Sequence, residues 1–263
     1  MTTLIRANGI SINYRLEGPE NASVVMLSNS LMSNYTMWDD QMAMLTESFR
    51  VLRYDQRGHG GTEAPAGPYT IELLTEDVRA LLDALEIDAV HFVGLSMGGF
   101  TAQMLALEYP ERVLSLSLCD TACAMPPKSL WDERIRIGRT DGMAALMTAT
   151  LERWFTASFR QTGDPRLAKV REMILGTPLA GYVGCAEAIR DMDICERIGS
   201  ITKLTLVLVG EDDPACPLSS AQVLHERIGG SRLVIIPAAA HLPNIEQTEA
   251  FNRELRLFLR QVT

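Results

Sequence analysis

Apolar positions along this chain switch repeatedly between two spacings. From Ile10 to Glu17 apolar and polar residues alternate, the period of a half-exposed edge strand. Gly18-Pro19-Glu20-Asn21 turns the chain, and Val24-Val25-Met26-Leu27-Ser28 predicts a strand buried on both faces. Trp38 to Leu45 reads as a short helix and Phe49 to Tyr54 as the next strand. From Thr70 to Leu85 the period lengthens to that of a helix, with Leu73, Leu74, Val78, Leu81, Leu82 and Leu85 on one stripe, which is core rather than a binding face. Further strands are predicted from Ala89, over Val113–Cys119, Leu204–Val209 and Arg232–Ile236, with helices over Leu218–Ile228 and Thr248–Leu259. Alternation of this kind implies a mostly parallel sheet with helices on both faces.

The pattern changes between Ala122 and Ile198. Helical stretches there are broken by Pro126-Pro127, Gly138, Gly142, Gly163 and Gly176-Thr177-Pro178, and no strand is evident. This predicts a core made of residues 1–121 and 199–263, interrupted by a helical cap over 122–198. An insertion at a strand's carboxyl end lies over the edge where α/β folds place their sites.

The run from Ala89 to Phe100 carries the sharpest chemical signal. Its strand ends in Gly94-Leu95-Ser96-Met97-Gly98, and a helix is predicted over Thr101–Tyr109 before Pro110 breaks it. Strand, Gly-x-Ser-x-Gly and helix in that order define a nucleophile elbow. The turn is so tight that side chains two positions from the serine would collide, so Gly94 and Gly98 are required. Ser96 is the candidate nucleophile, and backbone N–H groups at the helix start face any charge that forms beside it.

Composition narrows the field. A hydrophobic fraction of 47%, a charged fraction of 22% and a net charge of −9 describe an ordinary soluble domain without the basic cluster that nucleic acid or an anionic membrane selects. No apolar run is long enough for a membrane span, and Met1-Thr2-Thr3-Leu4-Ile5-Arg6 lacks a signal-peptide core, so a cytoplasmic location is expected. The five cysteines are odd in number and lack metal-ligand spacing, which predicts reduced thiols rather than a disulfide framework. No metal and no cofactor is expected.

A serine hydroxyl needs a base, and the base needs a group to hold its tautomer. Of the four histidines, His91 lies inside the elbow strand, His225 on a polar helix, and His59 in a glycine-rich loop as a structural residue. His241 follows the last strand in the small-residue loop Pro237–Asn244, from which an imidazole can reach back over Ser96. Asp213, Asp212 and Asp120 all stand at strand ends as candidate acids. Asp213 is preferred, since it lies between Ser96 and His241 in the chain order expected when an elbow supplies the serine.

Taken together, these residues give the chain a resemblance to the α/β-hydrolase fold family over nearly its whole length. The resemblance rests on Gly94-Leu95-Ser96-Met97-Gly98-Gly99, the Asp55…Arg57-Gly58-His59-Gly60 loop, Gly210…Asp213…Pro217 and His241. It implies a mostly parallel eight-stranded sheet. Within that fold the chain is most similar to the 3-oxoadipate enol-lactonases of the β-ketoadipate route of aromatic catabolism. Here the matching stretches are Leu27-Ser28-Asn29-Ser30-Leu31, Leu52-Arg53-Tyr54-Asp55, Gly67-Pro68-Tyr69-Thr70-Ile71-Glu72, Arg153-Trp154-Phe155-Thr156, Cys185-Ala186-Glu187-Ala188-Ile189 and Asn244-Ile245-Glu246. The resemblance implies a cofactor-free serine hydrolase that opens a small carboxylated lactone or ester, with the oxyanion held by the N–H groups of Leu31 and Met97. Those lactonases carry a glycine where this chain has Met32, a bulkier residue beside the oxyanion loop.

A carboxylated substrate calls for a cation in the pocket. Arg134 and Arg136, close to Trp131 in the cap, are the candidates, and Arg134 falls where the resembling lactonases also have an arginine. Trp131 and Trp154 are the expected apolar contacts. Two other readings use the same residues differently: a carboxylesterase or carbon–carbon-bond hydrolase of the same fold, and a small-ligand receptor without turnover.

Overall fold

The structure, a computed structural model, describes residues 3–263. Eight strands form one sheet: β1 (Thr3–Ala7), β2 (Ile10–Glu17), β3 (Val24–Ser28), β4 (Arg50–Tyr54), β5 (Val90–Leu95), β6 (Val113–Cys119), β7 (Thr205–Gly210) and β8 (Arg232–Ile236). Their spatial order is β1-β2-β4-β3-β5-β6-β7-β8. The β1–β2 and β2–β4 pairs are antiparallel, and every other pair is parallel. Strand β1 is additional to the strands predicted above. It joins β2 through Asn8-Gly9, both at positive φ, the dipeptide that suits a two-residue hairpin.

The core helices are α1 (Asp39–Leu45), α2 (Ile71–Ala84), α3 (Met97–Glu108), α9 (Leu218–Arg227), α10 (Pro243–Glu246) and α11 (Thr248–Val262), and the cap holds α4 (Lys128–Asp141), α5 (Met143–Trp154), α6 (Ala157–Gln161), α7 (Arg166–Gly176) and α8 (Leu179–Asp191). Helices α1 and α11 pack together, while α2 packs on α3 and α3 lies along β3, β5 and β6. Two predicted boundaries need correction. Helix α3 starts at Met97 rather than Thr101, because the poor helix formers Gly98 and Gly99 are kept for close packing against Ser28 and Thr121. Pro243–Glu246 forms one helical turn where a loop was expected, with Pro243 at its permissive first position.

The strand order reverses at β3, whose neighbours are β4 on one side and β5 on the other. That switch point opens the crevice where open α/β sheets bind ligands. The register pairs Ser28 with Gly94, so the loop after β3 and the turn after β5 emerge side by side.

The segment between β6 and β7 is helical apart from one isolated bridge, Ala124 to Asp193. Helix α8 seats this cap through two glycines. A side chain at Gly181 would overlap the Gly58 backbone, and one at Gly184 would overlap the Tyr69 ring. The expectation of five reduced thiols is overturned here. Cys123 and Cys195 form a disulfide, while Cys119, Cys185 and Cys216 are free and buried. The bond joins the two ends of the cap beside the Ala124–Asp193 bridge, where Ile194 N–H also donates to the Cys123 carbonyl at 2.9 Å. Residues 72 positions apart meet only through the tertiary fold.

Candidate active site

Ser96 sits between β5 and α3 with φ 55° and ψ −115°, a conformation that L residues rarely adopt. The turn is held by Ser96 N–H donating to the Cys119 carbonyl at 2.9 Å and Gly98 N–H donating to the Asn29 carbonyl at 3.0 Å. A side chain at Gly94 would overlap the Gly98 backbone, and one at Gly98 would overlap Ser28. The two glycines are therefore steric requirements of the turn that aims the hydroxyl.

The loop after β3 is pinned from several sides. Asn29 donates to the Tyr54 carbonyl at 2.8 Å and accepts from Trp38 Nε1 at 2.9 Å. Met32 N–H donates to His59 Nε2 at 2.9 Å, while His59 Nδ1 lies 3.2 Å from the Arg57 carbonyl, to which it donates in this tautomer. Burial pushes the His59 imidazole down to about 4, so it stays neutral and ties two loops together. Asp55 and Arg57 brace the same region: Asp55 accepts from Asn13, Gly61 and Tyr35, and Arg57 is bidentate to buried Asp77. The N–H groups of Leu31 and Met97 donate to no group among the described residues. Both belong to the segments that meet at the Ser28–Gly94 register.

His241 and Asp213 meet at the carboxyl ends of β8 and β7. Asp213 Oδ2 accepts from His241 Nδ1 at 2.8 Å, and its Oδ1 accepts from the N–H groups of Ala215 at 2.7 Å and Cys216 at 3.1 Å. This leaves His241 Nε2 for the cavity that Ser96 also lines. Asp212 is exposed and Asp120 does not bond the imidazole. The His241 loop is tied to the cap on both sides: Ala240 N–H donates to Glu246 at 2.9 Å, Glu246 also accepts from Thr156, and Leu242 N–H donates to the Trp154 carbonyl at 3.1 Å. Cys216 stands close to the Asp213–His241 pair, in a trio that could be taken for metal ligands. Burial, then Asp213 and Asp120, push its thiol well above the ordinary range, so it remains protonated and is a poor ligand.

Between core and cap lies a cavity of about 50 Å³, lined by Leu31, Met32, Ser96, Trp131, Trp154 and His241 among others. Met32 holds φ 65°, a left-handed conformation that favours glycine, with its side chain buried in the cavity wall. Two guanidinium groups enter the same space. Arg134 lies over the Trp131 ring at 4.8 Å, and Arg153 donates to Thr150 Oγ1 at 3.0 Å. Neither forms an ion pair among the described residues. Burial pushes Arg134 down, and burial followed by the Arg134 charge pushes Arg153 down to about 10. Arg136, the other arginine considered, is exposed and paired with Glu133 at 2.7 Å. Arg153, one turn after Thr150 in the Arg153-Trp154-Phe155-Thr156 stretch, is a cavity residue that spacing alone does not reveal. The same holds for Tyr182, which lines the cavity with both arginines.

A family model described as the alpha/beta hydrolase fold matches residues 24–248. The chain belongs to that family. It is 33% identical to 3-oxoadipate enol-lactonase 2 of Acinetobacter baylyi, covering 98% of this chain and 96% of the relative. The enol-lactonase structure from Burkholderia xenovorans LB400 superposes with a TM-score of 0.96 at 40% identity, covering 98% of this chain and 100% of that one. A RutD protein of Variovorax paradoxus, named for carbamate hydrolysis, is 31% identical over 96% of this chain and 97% of its own.

Proposed function

We propose that this α/β hydrolase opens a small lactone bearing a carboxylate, with 3-oxoadipate enol-lactone as substrate and 3-oxoadipate as product. The observation that carries this reading is the pair of half-buried guanidinium groups, neither in an ion pair among the described residues, in the cavity of Ser96 and His241. Burying two like charges is costly unless an anion arrives to meet them. The similarity to enol-lactonases supports the same substrate class.

In this mechanism Ser96 Oγ attacks the lactone carbonyl while His241 Nε2 takes its proton. Asp213, bonded to Nδ1, holds the tautomer and stabilises the imidazolium. The unengaged N–H groups of Leu31 and Met97 receive the oxyanion. The ring C–O bond breaks, and His241 returns the proton to the departing enol oxygen. Water, activated by the same imidazole, then releases the acyl group, and the enol product tautomerises. Trp131 and Trp154 flank the ring while Arg134 and Arg153 hold the carboxylate.

A substrate panel tests the reading: the enol-lactone, a neutral lactone of similar size, a carbamate and a chromogenic ester, each with wild type, Ser96→Ala and Arg134→Met. The expected result is preference for the charged lactone, lost selectively in Arg134→Met. Wild-type preference for the neutral lactone or ester would move the protein to general esterase activity. Preference for the carbamate would align it with the RutD relatives. Binding without turnover of any compound would make it a receptor.

A further inference from the structure

Asp120 is fully buried at the end of β6, directly behind the acid–base pair. Its φ of 44° is a strained value for a non-glycine residue. Oδ1 accepts from Gly210 N–H at 2.8 Å, whereas Oδ2 has no hydrogen-bond donor among the described residues. The carboxyl group it meets is Asp213, within hydrogen-bonding reach.

Two ionised carboxylates in contact inside the fold would repel strongly, because the interior screens charge far less than water does. Among the described residues no lysine or arginine pairs with either carboxyl group. The charged and titratable groups facing Asp120 are Asp213, Glu246, Cys119, Cys216 and, through Asp213, His241. Glu246 is itself acidic, and burial pushes both thiols well above their ordinary range, so they stay neutral. A single proton between the carboxyl groups removes the repulsion and satisfies the orphaned oxygen. The hydrogen bonds decide where that proton resides. Asp213 accepts from three donors, namely His241, Ala215 and Cys216, whereas Asp120 accepts from Gly210 alone. The better-solvated carboxylate keeps the charge.

The geometry points to Asp120 as a neutral carboxylic acid that donates its Oδ2 proton to the Asp213 carboxylate, a positioning residue behind the Asp213–His241 pair. Burial, with the Asp213 charge second, raises the Asp120 carboxyl well above its usual range, in agreement with that state. The donated hydrogen bond fixes the Asp213 carboxylate plane toward His241 Nδ1. It also draws off part of the carboxylate charge, which moderates how strongly the imidazole holds a proton.

The catalytic part of this inference rests on the proposed roles of Ser96, Asp213 and His241, and the protonation state can be tested without them. Difference infrared spectroscopy of the unligated protein at neutral pH is expected to show a protonated-carboxyl C=O band that disappears in Asp120→Asn. Its absence from wild type would overturn the proposal. The pH dependence of kcat/KM then discriminates by sign. Asp120→Asn replaces the O–H donor with an N–H donor and leaves the acidic limb in place. Asp120→Ala removes the donor, returns charge to Asp213 and moves that limb up by about one pH unit, the scale of one charge-assisted hydrogen bond. If Asp120 is anionic instead, both variants lose a negative charge near the imidazole and the limb moves down, which refutes the proposal. Full activity in Ser96→Ala would bring down the catalytic reading while leaving the infrared result interpretable.

Discussion

Replacing Arg153 with methionine sets binding against stability in a measurable way. Burial and the neighbouring Arg134 push the Arg153 guanidinium down to about 10. That fall from the ordinary arginine range corresponds to about 3 kcal/mol against the charged form in the folded chain. At pH 7 the group is protonated in both folded and unfolded chains, so the whole penalty is present. It is relieved only above about pH 10, where the folded chain releases the proton first and stability rises with pH. Solvent at the cavity mouth screens part of the charge, so 3 kcal/mol is an upper bound. Losing the bond to Thr150 costs about 1 kcal/mol. Arg153→Met should therefore gain about 1–2 kcal/mol, a rise in Tm of roughly 2–8 °C for a chain of this size. Catalysis moves the other way. Removing one partner of a buried charge pair costs about 2–5 kcal/mol, so kcat/KM on the carboxylated lactone should fall at least about 30-fold while a neutral lactone is little affected. Calorimetry at pH 7 and kinetics on both lactones measure the two sides. A variant less stable than wild type, or one losing equally on both substrates, would refute the reasoning.

Three further outcomes follow from the same geometry. Ser96→Ala should lower kcat by roughly 10³-fold or more with the fold intact, as circular dichroism would verify, and activity within about tenfold of wild type would reject Ser96 as nucleophile. His59 is held near 4 by burial, so the unfolded chain binds its proton first as pH falls; about 3 kcal/mol of stability present above pH 6.5 is lost on approaching pH 4. Urea unfolding of His59→Gln should show a correspondingly flatter dependence over that window, and an unchanged slope would contradict a neutral buried His59. Met32→Gly relieves about 1 kcal/mol of left-handed strain but removes a buried side chain worth about 2–5 kcal/mol, so it should destabilise the protein while admitting bulkier lactones. A net gain in thermal stability would show that strain outweighs packing at that position.

Local signals in the chain determined the elbow, the order of the strands and helices, and the helical character of the segment between β6 and β7. The elbow was legible because a turn that tight admits only glycine two positions from Ser96, and such steric demands act between near neighbours. Asn8-Gly9 carried an equally local hairpin signal for β1, obscured because the strand that precedes it is short and mostly exposed. The start of helix α3 is hidden in the sequence because Gly98 and Gly99 serve contacts with Ser28 and Thr121, which propensity does not register. Other features depended on residues far apart in the chain. Asp213, Asp212 and Asp120 look alike in sequence, and only the β7–β8 packing gives Asp213 the imidazole and leaves Asp212 in water. Arg134 and Arg136 are separated by two positions on one helix, yet one enters the cavity and the other pairs with Glu133 on the surface. Arg153 becomes a binding candidate only when α4 and α5 bring it beside Arg134. The Cys123–Cys195 bond, the tie from Glu246 to both Thr156 and Ala240, and the proton placed between Asp120 and Asp213 are of the same kind. Each requires atoms brought within bonding distance by the tertiary fold, and spacing along the chain carries no information about that distance.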